Sequence, residues 1–290
     1  SPRLQCGFRC PLPLWAGPAP RDNRTLDPMA LARVLASSTL VLAAAVLGCD
    51  VTGSGANSSH VLPVGDFAHL VASSSLQVHV TVAGNYASVT VQGFSNLASR
   101  VIAFVNPLGE LVLDVKPSTC NPNLVVNVTV PRPLTSLAAY AGAHVTADAL
   151  SGSLSSSNYA AVVVGNFTSG YPVSISASAM ANVSVSSGNL GFLTVSSSAG
   201  STVSLGTLRV DGAVVSASAR SSSLGMTAKR VTISASSGSR VALAATETAA
   251  YSCSSGSELA ISGSARVTKY SSTDCNVTIT PAVAASVIFP

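Results

Sequence analysis

The sequence predicts an all-β protein whose main part is a β-solenoid with coils of roughly 20 residues. Serine-rich segments of similar pattern recur along it, such as "VSISASAMANVSV" (Val173–Val185) and "VTISASSGSRVALAA" (Val231–Ala245). Aliphatic and polar residues alternate within each segment, which is typical of strands. The chain is 47% hydrophobic but only 5% aromatic and 9% charged. Its core must therefore be built from small aliphatic side chains, while Ser and Thr favour strands and turns.

The first part of the chain has the pattern of a secretory leader. Met29 is followed by one arginine and by the apolar stretch Val34–Leu47, which is too short to span a bilayer. We therefore expect a signal peptide at 29–48, no membrane span after its removal, and a mature chain outside the cell or on its surface. Residues 1–28 are a leader of doubtful status, either a segment ahead of the true start or a disordered tail. The sequence "VLGC" also resembles a bacterial lipoprotein cleavage site, which makes Cys49 a candidate for lipidation.

The charge of the chain gives no indication of a nucleic-acid partner. The formal net charge is +4, but five basic and only two acidic residues precede Cys49. From Cys49 onward there are ten basic and nine acidic residues, a net charge of +1, and the longest basic cluster is the pair Lys229–Arg230. The positive surface that binding to phosphates requires is therefore not predicted.

Alternating strands follow a Gly/Ser/Asn-rich linker at 49–60. Four of them are Leu76–Val82, Ala87–Gln92, Glu110–Lys116 and Leu124–Pro133. Turn residues such as "GN" and "NPLG" separate them, and helix is expected only in the signal peptide, apart from a turn near Ser95–Arg100. We predict one solenoid domain at 61–280 and a C-terminal tail at 281–290. Within that domain, the strands of 60–133 form the first part and cover one open end.

The repeat begins near Leu134. The aliphatic residues that follow each serine-rich cluster align at Val145, Val164, Val183, Val203, Leu224, Val241 and Leu259. The steps between them are 19, 19, 20, 21, 17 and 18 residues. Such a period without helical patterning favours stacked coils. In this arrangement aliphatic side chains fill a narrow core without room for large aromatics, and serine hydroxyls bond the turning backbone at the corners.

The recurring pattern of two alternating aliphatic residues before Ser-Gly-Ser or Ser-Ala resembles the GIN domain of autotransporter adhesin heads. "AISGSARVTKY" (Ala260–Tyr270) is the segment that carries the resemblance near the end, and "VGDFAHLVASSSLQVHVTV" resembles the opening of that domain. The resemblance covers about 62–280, although glycines of the family's turns are often serine or alanine in this chain. It implies a right-handed β-helix in a secreted or cell-surface protein, and it supplies no catalytic residues.

The cysteines and the glycosylation sequons agree with an oxidising compartment. Cys253 and Cys275 are 22 residues apart, about one coil, so stacking brings them within the Cα distance of a disulfide. Cys120 is expected to be a free thiol. Six N-x-S/T sequons occur, and those after the leader are the glycosylation candidates Asn57, Asn127, Asn166, Asn182 and Asn276.

The sequence predicts binding rather than catalysis. Its four histidines (His60, His69, His79 and His144) have no metal-ligand spacing, and no metal or cofactor is expected. The acids from residue 134 to 280 are few and scattered: Asp148, Asp211, Glu247, Glu258 and Asp274. We expect a structural or adhesive protein that contacts an extracellular glycan or matrix; the sequence does not indicate its oligomeric state.

Two alternatives stay open at this point. The first is a secreted β-helix enzyme acting on polysaccharide, which would need converging carboxylates and would release product. The second is ice binding through rows of S-x-S, for which Ser174/Ser176, Ser184/Ser186 and Ser234/Ser236 are the candidates. The ice-binding hypothesis requires thermal hysteresis in a purified sample.

Overall fold

The computed structural model describes residues 51–117, 119 and 124–281, and these form a β-solenoid of about seven turns. The predicted fold class is confirmed. Several sequence predictions fall on residues outside this part of the chain: the leader at 1–28, the signal peptide at 29–48, the features of Cys49 and Cys120, and nearly all of the tail at 281–290.

Eight strands and one helical turn form the N-terminal part. They are β1 Asn57–Leu62, β2 His69–Ala72, β3 Gln77–Val82, β4 Ser88–Phe94, α1 Ser95–Ala98, β5 Val101–Val105, β6 Glu110–Val115, β7 Val125–Val130 and β8 Leu134–Ala139. The four strands predicted for this region correspond to β3, β4, β6 and β7. The helix α1 lies where the sequence indicated a turn, and this one helix of the described residues is too short to cross a bilayer.

The strands of the later coils are long and pair in parallel. They are β9 His144–Ser156, β10 Ala161–Ser169, β11 Val173–Ala177, β12 Asn182–Ser197, β13 Thr202–Ala217, β14 Ser222–Ala235, β15 Arg240–Gly263 and β16 Arg266–Pro281. Along β9–β15 buried residues recur at alternate positions, so one side of each of these strands faces the core, whereas no residue of β16 is fully buried. In the described part of the chain β16 pairs only with β15, which leaves its other edge unpaired.

The N-terminal coils are not stacked in the order of the chain. β2 lies between β6 and β8, and β3 lies between β7 and β9, so the coil made by β6 and β7 is outermost. Antiparallel strands then cover this outer coil: β5 pairs with β6, β4 pairs with β7, and β1 pairs with β4. This confirms that the early strands form the first part of the solenoid and cover one open end, which protects an edge that could otherwise pair with another chain.

The position of β1 shows that the linker ends earlier than the sequence predicts. The sequence assigned 49–60 to a flexible linker, but the strand already begins at Asn57, where it pairs with Phe94 of β4. The backbone hydrogen bonds of this antiparallel pair extend to Leu62, so the polar composition of the segment did not prevent strand formation. The linker is shortened accordingly.

The register of the coils corrects two positions of the predicted alignment. The inward column contains Val162 rather than Val164, and Ser223 rather than Leu224; the column is Val145, Val162, Val183, Val203, Ser223 and Val241. Val162 and Val164 are both buried, so a slip of two residues leaves the pattern unchanged. Ser223 is only 4% exposed and fills an inward position, which the aliphatic pattern alone could not indicate.

The core contains large aromatic side chains at two levels. Phe167 is completely buried and Tyr251 is 6% exposed, so the expectation of a core without large aromatics is wrong. Phe167 stands in one column between Leu150 and Gly188. Gly188, the paired residue on the next coil, has no side chain, and a Cβ there would meet the backbone of Phe167.

Stacked type I′ turns form one corner of the solenoid. In each turn both central residues have positive φ, as this turn type requires. The central pairs are Ser74–Ser75, Ala141–Gly142, Asn158–Tyr159, Ala179–Met180, Ala199–Gly200, Ala219–Arg220, Ser237–Gly238 and Ser255–Gly256. The amide of the second central residue donates to the carbonyl of the first central residue in the next turn, at 2.9–3.0 Å throughout, from Ser75 to Ser255. A continuous hydrogen-bonded ladder therefore runs down this corner.

Buried serines join the lower coils at the same corner. Ser201, Ser221 and Ser239 follow the central pairs and are each 1% exposed. Each hydroxyl donates to a carbonyl of the preceding coil at 2.9–3.0 Å and accepts an amide hydrogen of its own turn at 3.1 Å. The predicted role of corner serines is thus confirmed, and these hydroxyl groups keep hydrogen-bond partners although they are buried.

Replacing Arg220 by glycine should stabilise the protein. Arg220 has φ +62°, a left-handed conformation that is unfavourable for a residue with a Cβ, while its amide hydrogen bond is made by the backbone alone. We expect Arg220→Gly to raise the free energy of unfolding by roughly 0.5–1 kcal/mol. Urea denaturation measures this change. Gly200→Ala is the matched reverse variant, since φ is +74° and the new Cβ would meet only Met180 Cγ at 3.6 Å. This variant should lower the free energy of unfolding. A change of the same sign in both variants would contradict the argument.

Candidate binding groove on the flank of the solenoid

One long side of the solenoid is an array of hydroxyl groups, called here the serine face. It is defined by seven exposed or half-buried serines in register on successive coils: Ser155, Ser176, Ser196, Ser216, Ser234, Ser252 and Ser271. The neighbouring outward column is mixed, with Ser174, Thr194, Val214, Thr232, Ala250 and Thr268. The face is therefore neutral, and the column beside it contains both hydroxyl and aliphatic side chains.

The three S-x-S pairs of the sequence do not form one row. Ser176 and Ser234 belong to the serine face and Ser174 to the neighbouring column, but Ser236 begins a corner turn. Ser184 belongs to the first half of β12, where it pairs with Ser204 on a different side of the coil. The register therefore replaces the proposed rows by the single column defined above.

Charge is distributed unevenly along the coils. No charged residue occurs between Asp148 and Arg209, a stretch of 60 residues. Charged side chains reappear together in the next coils, where Arg209, Asp211, Lys229 and Arg230 line one concave region. Against a surface of small neutral residues, this is a local concentration of polar chemistry.

The concave region, called here the flank groove, runs beside the serine face. It consists of two adjoining hollows that share Gly191, of about 660 Å³ and 500 Å³. The first is lined by Asn189, Arg209, Asp211 and Lys229, and the second by Phe192, Gly212, Arg230, Thr248 and Tyr270. It crosses four coil steps, which corresponds to roughly 19 Å along the axis.

An aromatic ring forms the floor of the groove. Phe192, Gly212, Arg230, Thr248 and Arg266 occupy one column on successive coils. The ring of Phe192 covers Gly212 so closely that a side chain at this position would lie 3.0 Å from Cδ2. Although it packs on the glycine, Phe192 keeps 40% of its surface exposed. A flat apolar surface beside guanidinium and hydroxyl groups suits the ring face and the hydroxyls of a sugar.

One ion pair fixes the charge pattern in the groove. Lys229 Nζ lies 2.7 Å from Asp211 Oδ1, and both side chains are more than half exposed. The hydrogen bond and charge of Lys229 lower the pKa of Asp211, and the same contacts raise the pKa of Lys229. Arg209 and Arg230 form no ion pair with any residue that the structure describes. The lining side chains therefore keep a net charge of +2 across the physiological pH range.

The predicted disulfide between Cys253 and Cys275 is present, with a Cα–Cα distance of 5.9 Å. The two residues are not stacked directly, since the register partner of Cys253 is Ser272 and that of Cys275 is Ser257. A coil has 18 or 19 residues at this level, so the separation of 22 carries the bridge across the corner turn. It links the last described coil to the one before it.

The five glycosylation candidates lie on five different strands and differ in exposure. Asn57, Asn166, Asn182 and Asn276 are exposed, whereas Asn127 is half-buried in β7 between β3 and β4. Glycosylation stays a prediction for all five.

The four histidines lie apart. His60 contacts Ser58 Oγ at 3.1 Å, His69 contacts Thr135 Oγ1 at 3.3 Å, and His79 contacts Thr146 Oγ1 at 2.6 Å. His144 begins β9 and pairs with Gln77 and Ala161. Within 51–117, 119 and 124–281, no three His, Cys, Asp or Glu side chains are grouped as metal ligands would be.

Sequence reasoning did not identify the groove residues. Phe192 and Arg230 are 38 residues apart and become neighbours only through the register of three coils. One signal was available, namely the return of charged residues at Arg209 after the uncharged stretch.

Comparisons with known proteins agree with the fold. The family model described as "Putative auto-transporter adhesin, head GIN domain" matches residues 66–265. A "putative adhesin" of known structure from Parabacteroides merdae ATCC 43184 superposes with a TM-score of 0.71 at 15% identity, covering 79% of this chain and 98% of its own. For a "putative adhesin" from Parabacteroides distasonis ATCC 8503 the TM-score is 0.64 at 14% identity, covering 80% and 99%. A "putative lipid binding protein" from the same strain gives 0.63 at 13% identity, covering 79% and 98%. No curated protein matches the chain.

Proposed function

The chain belongs to the family of auto-transporter adhesin head GIN domains, and from this premise we propose that it is an extracellular adhesive protein that binds a glycan along its flank groove without cleaving it. The observation that carries the proposal is the groove itself. It places an exposed aromatic ring, two guanidinium groups and several hydroxyls in one depression. Because the net charge of the lining side chains is +2, the groove favours an anionic glycan such as a uronic-acid polymer.

Extracellular location is supported by three independent features. The leader has the pattern of a signal peptide, the last coil contains a disulfide, and four sequon asparagines are exposed. Disulfides persist mainly in oxidising compartments. The neutral stretch between Asp148 and Arg209 carries two of the sequons, Asn166 and Asn182, where attached glycans would supply solubility that charges do not.

The carboxylate that lines the groove, Asp211, argues for binding rather than hydrolysis. A glycosidase needs one carboxyl group whose pKa is raised, so that it can donate a proton. Asp211 instead has a lowered pKa because Lys229 contacts it. A carboxylate held ionised in this way accepts hydrogen bonds from sugar hydroxyls and is poorly suited to donating a proton.

Polygalacturonate and its neutral methyl ester are a matched pair of ligands for testing the proposal. We expect the purified chain to bind the acid polymer more tightly than the ester, with an affinity that falls as salt is added. Phe192→Ala should weaken binding about tenfold, since a desolvated aromatic contact contributes on the order of 1.4 kcal/mol. Phe104→Ala is the control because Phe104 is similarly exposed, at 49%, but lies on β5 at the covered end.

Two results of this experiment would contradict the proposal. If Phe192→Ala and Phe104→Ala bind equally well, the groove is not the binding site. If new reducing ends appear during incubation with either polymer, the protein is a polysaccharide-active enzyme instead.

A further inference from the structure

A second cavity lies at the covered end of the solenoid, far along the chain from the flank groove. It has a volume of about 770 Å³ and is formed where four connections meet: the segment before β2, the β3–β4 loop, the β5–β6 loop and the β7–β8 connection. Residues of binding sites are often carried by such loops on a rigid scaffold. We propose that this cavity, called here the end pocket, binds a neutral saccharide unit.

Three side chains of the end pocket suit the hydroxyl groups of a sugar. Asp66, Asn85 and Arg132 line the cavity, each from a different connection. Together they supply an anionic acceptor, an amide that both donates and accepts, and a planar group of donors. Neither Asp66 nor Arg132 forms an ion pair within the part of the chain that the structure describes. Their charges balance, so the pocket has no electrostatic preference for a charged ligand.

Apolar side chains supply the complementary surface. Tyr86 is 83% exposed and Leu108 is 69% exposed, yet both line the same cavity. Exposed apolar groups gathered around a depression mark a binding surface more often than isolated ones do. An aromatic ring beside hydroxyl-binding groups fits the C–H face of a pyranose ring.

The walls of the end pocket are held in place before any ligand binds. Asn106 fixes the β5–β6 loop, because its Oδ1 accepts from the amides of Leu108 and Glu110 at 2.9 and 3.0 Å. The backbone amide and hydroxyl of Thr135 both donate to Ala68 O, which anchors the segment before β2. Prolines on both sides of Arg132 restrict its backbone. Such preorganisation reduces the entropy lost on binding.

Methyl glycosides of common hexoses, deoxyhexoses and N-acetylhexosamines are suitable probes for the end pocket. We expect saturation-transfer NMR to detect at least one of them bound to the full chain, with an affinity that does not depend on salt. Tyr86→Ala and Asp66→Asn should each weaken that binding tenfold or more. Phe192→Ala, which alters the flank groove, is the control and should leave it unchanged.

The binding sites proposed for the end pocket and the flank groove can thus be refuted independently. Loss of methyl glycoside binding in Phe192→Ala, or its persistence in both end-pocket variants, would overturn the assignment of the end pocket. The absence of transfer to every glycoside would do the same. None of these results bears on polygalacturonate binding, which tests the flank groove alone.

Discussion

Gly188→Ala should destabilise the protein by about 3 kcal/mol or more. A Cβ at this position would lie 1.9 Å from Phe167 O and 2.7 Å from its carbonyl carbon, and φ is +156°. Both clashing atoms belong to the backbone of the adjacent coil, so no side-chain rotation relieves the contact. Relief requires the two coils to separate where Phe167 and Gly188 are paired. Urea denaturation followed by circular dichroism measures the loss.

Gly170→Ala is the matched control for this prediction. Gly170 follows β10 only a few residues after Phe167, but a Cβ added to it would meet nothing within 4 Å. A change within about 0.5 kcal/mol is expected, as for other surface substitutions. If the two variants lose the same free energy of unfolding, the close approach of the coils at Gly188 is not the cause of the destabilisation. Because coils contact only their neighbours, separating the coils at Gly188 should also split the urea unfolding transition of this variant into two steps.

The sequence was sufficient to predict the fold class because the pattern is local. Alternation in Glu110–Val115 or Val125–Val130 specifies a strand with one buried side, and a serine before a tight turn specifies a corner. The alignment of the repeats is ambiguous from sequence alone wherever two inward positions of one strand are both aliphatic. In β10 this allowed Val164 to replace Val162, and the error could be resolved only by the pairing with Val145.

Long-range arrangement was beyond the sequence. The position of β2 between β6 and β8 depends on the pairing of residues 40 to 70 positions apart, for which local composition gives no signal. The flank groove has the same origin, since Phe192 and Gly212 are neighbours only after the coils are stacked. The end pocket likewise combines Asp66, from the segment before β2, with Arg132, from the β7–β8 connection. Sites of this kind arise from register rather than from motifs.

The disulfide could be predicted because spacing and compartment both indicated it, and its removal should have a large but local effect. The bridge closes a loop with a sequence separation of 22, so its loss is expected to cost on the order of 3 kcal/mol. The double variant Cys253→Ala/Cys275→Ala leaves no reactive thiol at this site. Since β16 is paired on one side only in the described chain, the cost should appear as fraying of residues 266–281. Hydrogen exchange of their amides should quicken about a hundredfold.

Ser272→Ala is the control for the disulfide variant because Ser272 is the register partner of Cys253 on β16. Its replacement leaves the bridge intact, and exchange in β16 should stay near that of the unaltered chain. The amides of β12 and β13, far from the bridge, should be protected equally in all three proteins, since each coil is stabilised by its neighbours. Uniform acceleration along the whole solenoid would instead mean that the disulfide stabilises the fold as one cooperative unit. Unchanged exchange in β16 would mean that the aliphatic core and the backbone pairing with β15 hold the last coil without it.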